Sequence, residues 1–196
     1  LNLIEKFYTP QSGAVLLNGT DVSRMDYAGY RSLFSYLPQN APGFSGTVRE
    51  MLNYTSREPH DDGTLLEALR KVGLDEDISA LGGLDYEIGA GGEKLSGGQR
   101  QKLGVARLLL SDTEYVLLDE ATSALDVDAT SKVQKAIDEA CRGRTQITVA
   151  HDLSTVQNAD KILVFNKGTL EAQGTHEELL AACPLYRQLV KEGKAS

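Results

Sequence analysis

Leu95-Ser96-Gly97-Gly98-Gln99-Arg100-Gln101 is the stretch on which the reading of this chain turns. Ser96-x-x-Gln99 has the form of a capping box, in which a hydroxyl and an amide satisfy each other's backbone N–H groups where a helix starts. The spacing predicts a helix over 102–110 behind it. A cap does not by itself account for Gly97 and Gly98, since each glycine costs a helix about 1 kcal/mol relative to alanine. Paired glycines at the positive end of a helix suit a group that must come close to the backbone, as a phosphate does.

Downstream lies Tyr115-Val116-Leu117-Leu118-Asp119-Glu120, an apolar run that ends abruptly in two acids. Further short β-rich runs are Ala14–Leu17 before Asn18-Gly19, Phe34–Leu37 before Pro38-Gln39, Thr145–Ala150 before His151, and Lys161–Phe165 before Asn166-Lys167-Gly168. Uninterrupted apolar strands are expected where helices cover both faces of a sheet. Helical patterns between them point to a parallel α/β arrangement. Leu65, Leu66, Leu69 and Val72 predict one apolar helix face, and Val133, Ala136, Ile137 and Ala140 another. Leu1–Tyr8 reads as a core helix, and Thr175-x-x-Glu178 as a second capping box, which makes His176 an exposed first-turn residue. Strand patterns thin out after Gln39, so 40–112 reads as an inserted helical lobe and 1–39 with 113–196 as the core.

Composition narrows the function classes. The 196 residues are 41% hydrophobic and 24% charged, sufficient for a sizeable core. Twenty-eight acids against 20 lysines and arginines leave a net charge of −8, which disfavours broad binding to nucleic acid or an anionic membrane. Local phosphate binding is still open, because backbone N–H groups and one or two cations suffice for it. No stretch approaches the roughly 18 apolar residues of a bilayer span. Cys141 and Cys183 lack metal-ligand spacing and read as free buried thiols of a reducing compartment.

In Leu95–Gln99 the chain resembles the ABC ATPase family, whose signature is LSGGQ. The resemblance runs through the chain in the family's motif order. The family fold it implies is α/β: a RecA-like P-loop NTPase core with a mainly parallel sheet, plus an inserted helical signature subdomain. It implies ATP and Mg²⁺ as ligands. Asp119 resembles the Walker B aspartate that helps hold Mg²⁺, and Glu120 the catalytic glutamate that orients and partly deprotonates the attacking water. Gln39 resembles the Q-loop glutamine that reaches metal and water, and His151 the H-loop histidine that contacts the γ-phosphate. Ser96, Gly97, Gly98 and Gln99 become contacts to the ATP of a partner domain, and Asp126 belongs to a D-loop. Phe44–Glu50, Leu153–Thr155, Ala159–Ile162 and Gly174–Leu180 are similar to exporter-type members.

The pattern departs from the family in one large respect. A P-loop would read G-x-x-x-x-G-K-S/T, and no such segment occurs in these 196 residues. In the family it precedes a helix resembling Leu1–Tyr8. The expectation is therefore of a chain that begins after its P-loop and cannot hold nucleotide alone. Its sheet would lack a central strand between 145–150 and 161–165, leaving a gap, a collapsed sheet or a borrowed strand. Asp152 also stands where arginine is common, and Ala90 where glutamate is. The implied role is the ATPase motor of an exporter. It would pair head-to-tail with a second nucleotide-binding domain and drive a transmembrane domain from the cytoplasmic face, without nucleic acid. Two readings compete: a non-catalytic fragment or partner that supplies only its signature loop, and a soluble ABC ATPase without a transport role.

Overall fold

The structure is a computed structural model that describes residues 1–39, 45–122, 125, 127–150 and 156–193. The chain divides into two compact units, Leu1–Ile147 and Thr148–Ser196.

In the first unit the expected opening helix is a single turn. Phe7 N–H bonds to Asn2 C=O at 3.0 Å and Lys6 N–H to Leu3 C=O at 3.3 Å, with Lys6 at φ 59°. This is a Schellman closure, which ends a helix once a residue turns left-handed. The hairpin β1 (Leu16–Leu17) and β2 (Thr20–Asp21) follows. Asn18 and Gly19 at its tip both have positive φ, as a two-residue primed turn requires. Asp26 caps the short α1 (Tyr27–Arg31) by accepting from Gly29 N–H at 2.7 Å.

Next come β3 (Phe34–Leu37), α2 (Val48–Asn53), α3 (Asp62–Val72), α4 (Asp75–Leu81) and α5 (Gly97–Leu109). They are followed by β4 (Tyr115–Asp119), α6 (Val127–Cys141) and β5 (Thr145–Val149). The sheet order is β3-β4-β5, and β3 and β4 are parallel, with Phe34 opposite Tyr115 and Leu37 opposite Leu118. Central β4 buries Val116, Leu117 and Leu118, as a strand covered on both faces should. The expectation of full burial fails for β5, whose Ile147 and Val149 are exposed.

The core of this unit joins α3, α5 and α6 to β3 and β4 through Leu65, Leu69, Leu103, Val105, Val133 and Ile137, each almost wholly buried. Such a side chain contributes about 1.5–3 kcal/mol on leaving water. Of the predicted α3 face, Leu66 is exposed and Ala68 is buried in its place. Leu66 follows Leu65 by one helical step of about 100°, which turns it off the packed stripe. Cys141 is free and buried here, and burial pushes its thiol up to about 11.

The second unit holds β6 (Ile162–Asn166) and β7 (Thr169–Gly174), an antiparallel pair turned through Lys167 and Gly168 at positive φ. Within this unit β6 pairs with β7. The predicted 161–165 strand is thus one arm of a hairpin whose second arm the apolar-run criterion passed over. Ile162 and Val164 are buried while Leu163 and Phe165 are exposed, the alternation of a one-sided sheet. Helices α7 (His176–Ala182) and α8 (Pro184–Gly193) supply Leu179, Tyr186 and Val190 to the same core. Free Cys183 is buried in it. The Thr175 capping box is formed, but His176 is half-buried rather than exposed, with Nδ1 2.8 Å from Tyr186 Oη.

Candidate functional site

The parallel register makes β3 and β4 end side by side, which puts Pro38-Gln39 next to Asp119-Glu120. Ligand sites of open parallel sheets form at this carboxyl edge. Pro38 has no N–H to extend the ladder, so the chain leaves the sheet and Gln39 is exposed. Its Nε2 donates to Glu120 Oε2 at 2.5 Å. Two residues before Pro38, Tyr36 Oη donates to Asp119 Oδ2 at 3.3 Å. Burial, reinforced by the Asp119 charge, pushes the Tyr36 phenol up to about 12, so it stays a donor at any physiological pH.

Glu120 has φ 50°, a left-handed conformation that costs a residue with a Cβ about 1–2 kcal/mol. The consecutive carbonyls of Glu120 and Ala121 follow the end of β4. Both accept from Gln101 Nε2, at 3.3 and 2.5 Å. Gln101 sits in the second turn of α5, 2% exposed, among the buried Leu103, Val105 and Leu108.

The start of α5 has the predicted cap. Ser96 Oγ accepts from Gln99 N–H at 3.1 Å, and Gln99 Oε1 accepts from Ser96 N–H at 2.9 Å. Gln99 Nε2 in turn donates to Asp77 Oδ2 on α4 at 3.3 Å. Arg100 Nη1 donates to Leu95 C=O at 2.5 Å and braces the loop from below. Gly97 is not there for internal reasons: a Cβ added to it would meet nothing within 4 Å, and its φ is not positive.

The structure therefore brings Gln39, Asp119 and Glu120 to one strand edge and places Ser96, Gly97, Gly98 and Gln99 at the head of the helix that carries Gln101. His151 and Asp126 lie outside the described residues. Sequence reasoning missed Tyr36 and Gln101. Gln101 was findable in principle, being a polar residue at helical spacing from the apolar Val105 and Leu108.

As oxygen donors, Asp119 and the Gln39 amide suit Mg²⁺, which uses one or two protein oxygens and takes the rest from water and phosphate. Among the described residues no group of three or more His, Cys, Asp or Glu could hold a resident metal. The donor set suits an Mg²⁺ that takes its remaining ligands from outside the protein. Among the described residues, too, no helix is long and apolar enough to cross a membrane.

The ABC transporter family profile matches residues 1–123. The chain is 39% identical over 195 residues to the ABC multidrug transporter MDR1 of Cryptococcus neoformans, covering 97% of this chain and 14% of that protein. It is 37% identical to the multidrug resistance ABC transporter ATP-binding and permease protein of Lactococcus lactis, covering 97% and 32%. It thus spans a seventh to a third of these relatives' length. A bacterial Atm1-family ABC exporter solved with ATP bound superposes on the whole chain and on 34% of its own, with TM-score 0.90 and 32% identity. Its α/β fold, its ordered motifs and these likenesses agree: the chain belongs to the ABC transporter family, as an exporter-type nucleotide-binding domain.

Proposed function

We propose that this domain is the ATP-hydrolysing motor of an exporter. One observation carries the reading: the Gln39 amide contacts the Glu120 carboxylate across two strand ends, beside Asp119. Glu120 orients the attacking water and takes up its proton as the oxygen bonds to the γ-phosphorus and the bond from that phosphorus to the β,γ-bridging oxygen breaks, with ADP leaving. Gln39 holds that carboxylate and, through its amide oxygen, offers a second ligand beside Asp119 for Mg²⁺. When bound, Mg²⁺ neutralises charge on the β- and γ-phosphates. His151 contacts the γ-phosphate and Asp126 belongs to the joint between domains.

Ser96, Gly97 and Gly98 present backbone N–H groups and a hydroxyl to ATP held by a second nucleotide-binding domain arranged head-to-tail. Gly97 leaves the approach bare. Closure around two nucleotides then drives a transmembrane domain at the cytoplasmic face. The helical lobe at 40–112 carries the signature, and the segments 1–39 and 113–196 carry the hydrolytic edge.

The described groups gathered at the strand edge are two carboxyls, an amide and a phenol, with no lysine or arginine among them. The isolated 196-residue chain is therefore expected not to bind Mg-ATP at micromolar nucleotide, and calorimetry measures this directly. In the intact protein, Glu120→Gln is expected to lower turnover by about 10²–10⁴-fold while ATP still binds. Wild-type turnover in that variant would remove Glu120 from the base role.

A further inference from the structure

We infer that Gln101 is a positioning residue for hydrolysis, one that holds the backbone of Glu120 in the conformation that aims its carboxylate. This rests on the role proposed for Glu120.

Glu120 stands in a left-handed conformation directly after a buried strand, with no glycine to ease it. Left-handed non-glycine residues persist where their surroundings over-determine them. Here the surroundings are identifiable. The turn presents the carbonyls of Glu120 and Ala121 in succession to α5, and one buried amide nitrogen of Gln101 serves both. The other end of Glu120 is held by Gln39. The residue is thus gripped by its backbone from the helix and by its carboxylate from the segment that follows β3.

The chemistry of position 101 supports a dedicated role. The surrounding stretch of α5 buries Leu103, Val105, Ala106 and Leu108, and an apolar residue would pack there without needing partners. A buried amide is tolerated when its hydrogen bonds are made, and carbonyls stripped of a donor in such a place are costly. The grip also starts one helical turn behind Ser96. The helix that presents the signature glycines therefore holds the hydrolytic residue of its own chain.

The test is a double-mutant cycle in the intact protein. Gln101→Met keeps the side-chain length and removes the donor. It is expected to lower kcat by about 10–100-fold, the effect of misplacing a reacting group by about 1 Å, while leaving the KM for ATP within about threefold. In a Glu120→Gln background, Gln101→Met is expected to cost nothing further, because it acts through the residue already disabled. Losses that add in full, or an unchanged kcat in Gln101→Met, overturn the inference. Gln101→Asn, one methylene too short to serve both carbonyls, gives the same comparison where the methionine variant does not fold.

The backbone chemical shifts of Glu120 supply a readout independent of turnover. They are expected to leave the left-handed range in Gln101→Met, and unchanged shifts overturn the inference. If Glu120→Gln alone keeps wild-type turnover, the proposed base role fails, and these shifts still decide whether Gln101 sets the conformation of Glu120.

Discussion

The start of α5 and the end of β4 are both polar, both sit at element ends and both carry family motifs, yet they are held in opposite ways. At Ser96–Gln99 every side-chain partner but Asp77 lies within four residues, and the cap is a closed local exchange. At Asp119–Glu120 the partners come from far along the chain: Gln39 is 81 positions away, Tyr36 is 83 from Asp119, and Gln101 is 19 from Glu120. The first arrangement forms wherever its helix forms. The second exists only once β3, β4 and α5 have packed, so it is the one that tertiary changes can tune. Turn-local hydrogen bonds build the scaffold at Ser96–Gln99, and long-range ones join the strand end to β3 and α5.

Substitutions that cut one kind of contact and spare the other probe this difference. The largest expected effect is on rate. Gln39→Ala in the intact protein should lower ATP turnover by about 10–100-fold. As an exposed residue, Gln39 should shift unfolding free energy by no more than about 0.5 kcal/mol. A large loss of stability would mean that the strand-end contact is structural after all. Ser96→Ala should do the reverse for folding, costing about 1 kcal/mol. In a chain of this size that lowers Tm by about 2–4 °C by calorimetry. The Glu120 backbone shifts should not move, and if they do, the two regions are coupled more tightly than their hydrogen bonds imply.

Smaller still is Tyr36→Phe, which removes one long bond to Asp119 and should cost about 0.5 kcal/mol in denaturant titrations. The last concerns Glu5, 1% exposed, with Oε1 3.4 Å from Arg31 and Oε2 without a hydrogen-bond partner among the described residues. Burial raises its carboxyl above the ordinary value of 4.5, against the opposing pull of Arg31. The folded state therefore keeps a proton that the unfolded chain releases. The stability this represents is complete below pH 4.5 and is lost as pH rises through the folded value. Glu5→Gln, which cannot ionise, should gain on the parent in Tm as pH climbs from 4.5 to 7, and a gap that narrows instead would reverse the sign assigned to burial.

What the sequence revealed follows the same division. The capping boxes at Ser96 and Thr175, the Asn18-Gly19 turn and the strands at Phe34 and Tyr115 are all set by residues a few positions apart. All formed where the pattern put them. Gln39, Asp119 and Glu120 were legible as individual residues through their motifs. Their mutual contacts were not, because nothing local fixes which side chain turns to which. Gln101 escaped notice because a glutamine within a helix is normally surface, although its spacing to Val105 and Leu108 puts it on the buried face. β7 escaped because Thr169–Gly174 alternates polar residues with Leu170, Ala172 and Gly174, and no continuous apolar run announces it. Leu1–Tyr8 misled because its apolar residues fit a helix, while the left-handed Lys6 that closes it has no compositional mark.

The burial of both thiols has a practical reach. Cys183 is packed in its core, and the thiol of Cys141 is held protonated up to about pH 11. Alkylating reagents act on exposed thiolates. A single cysteine introduced at a bare position such as Leu16, 59% exposed, would then be the reactive one. Fluorophores or spin labels could be attached there without first deleting either native sulfur.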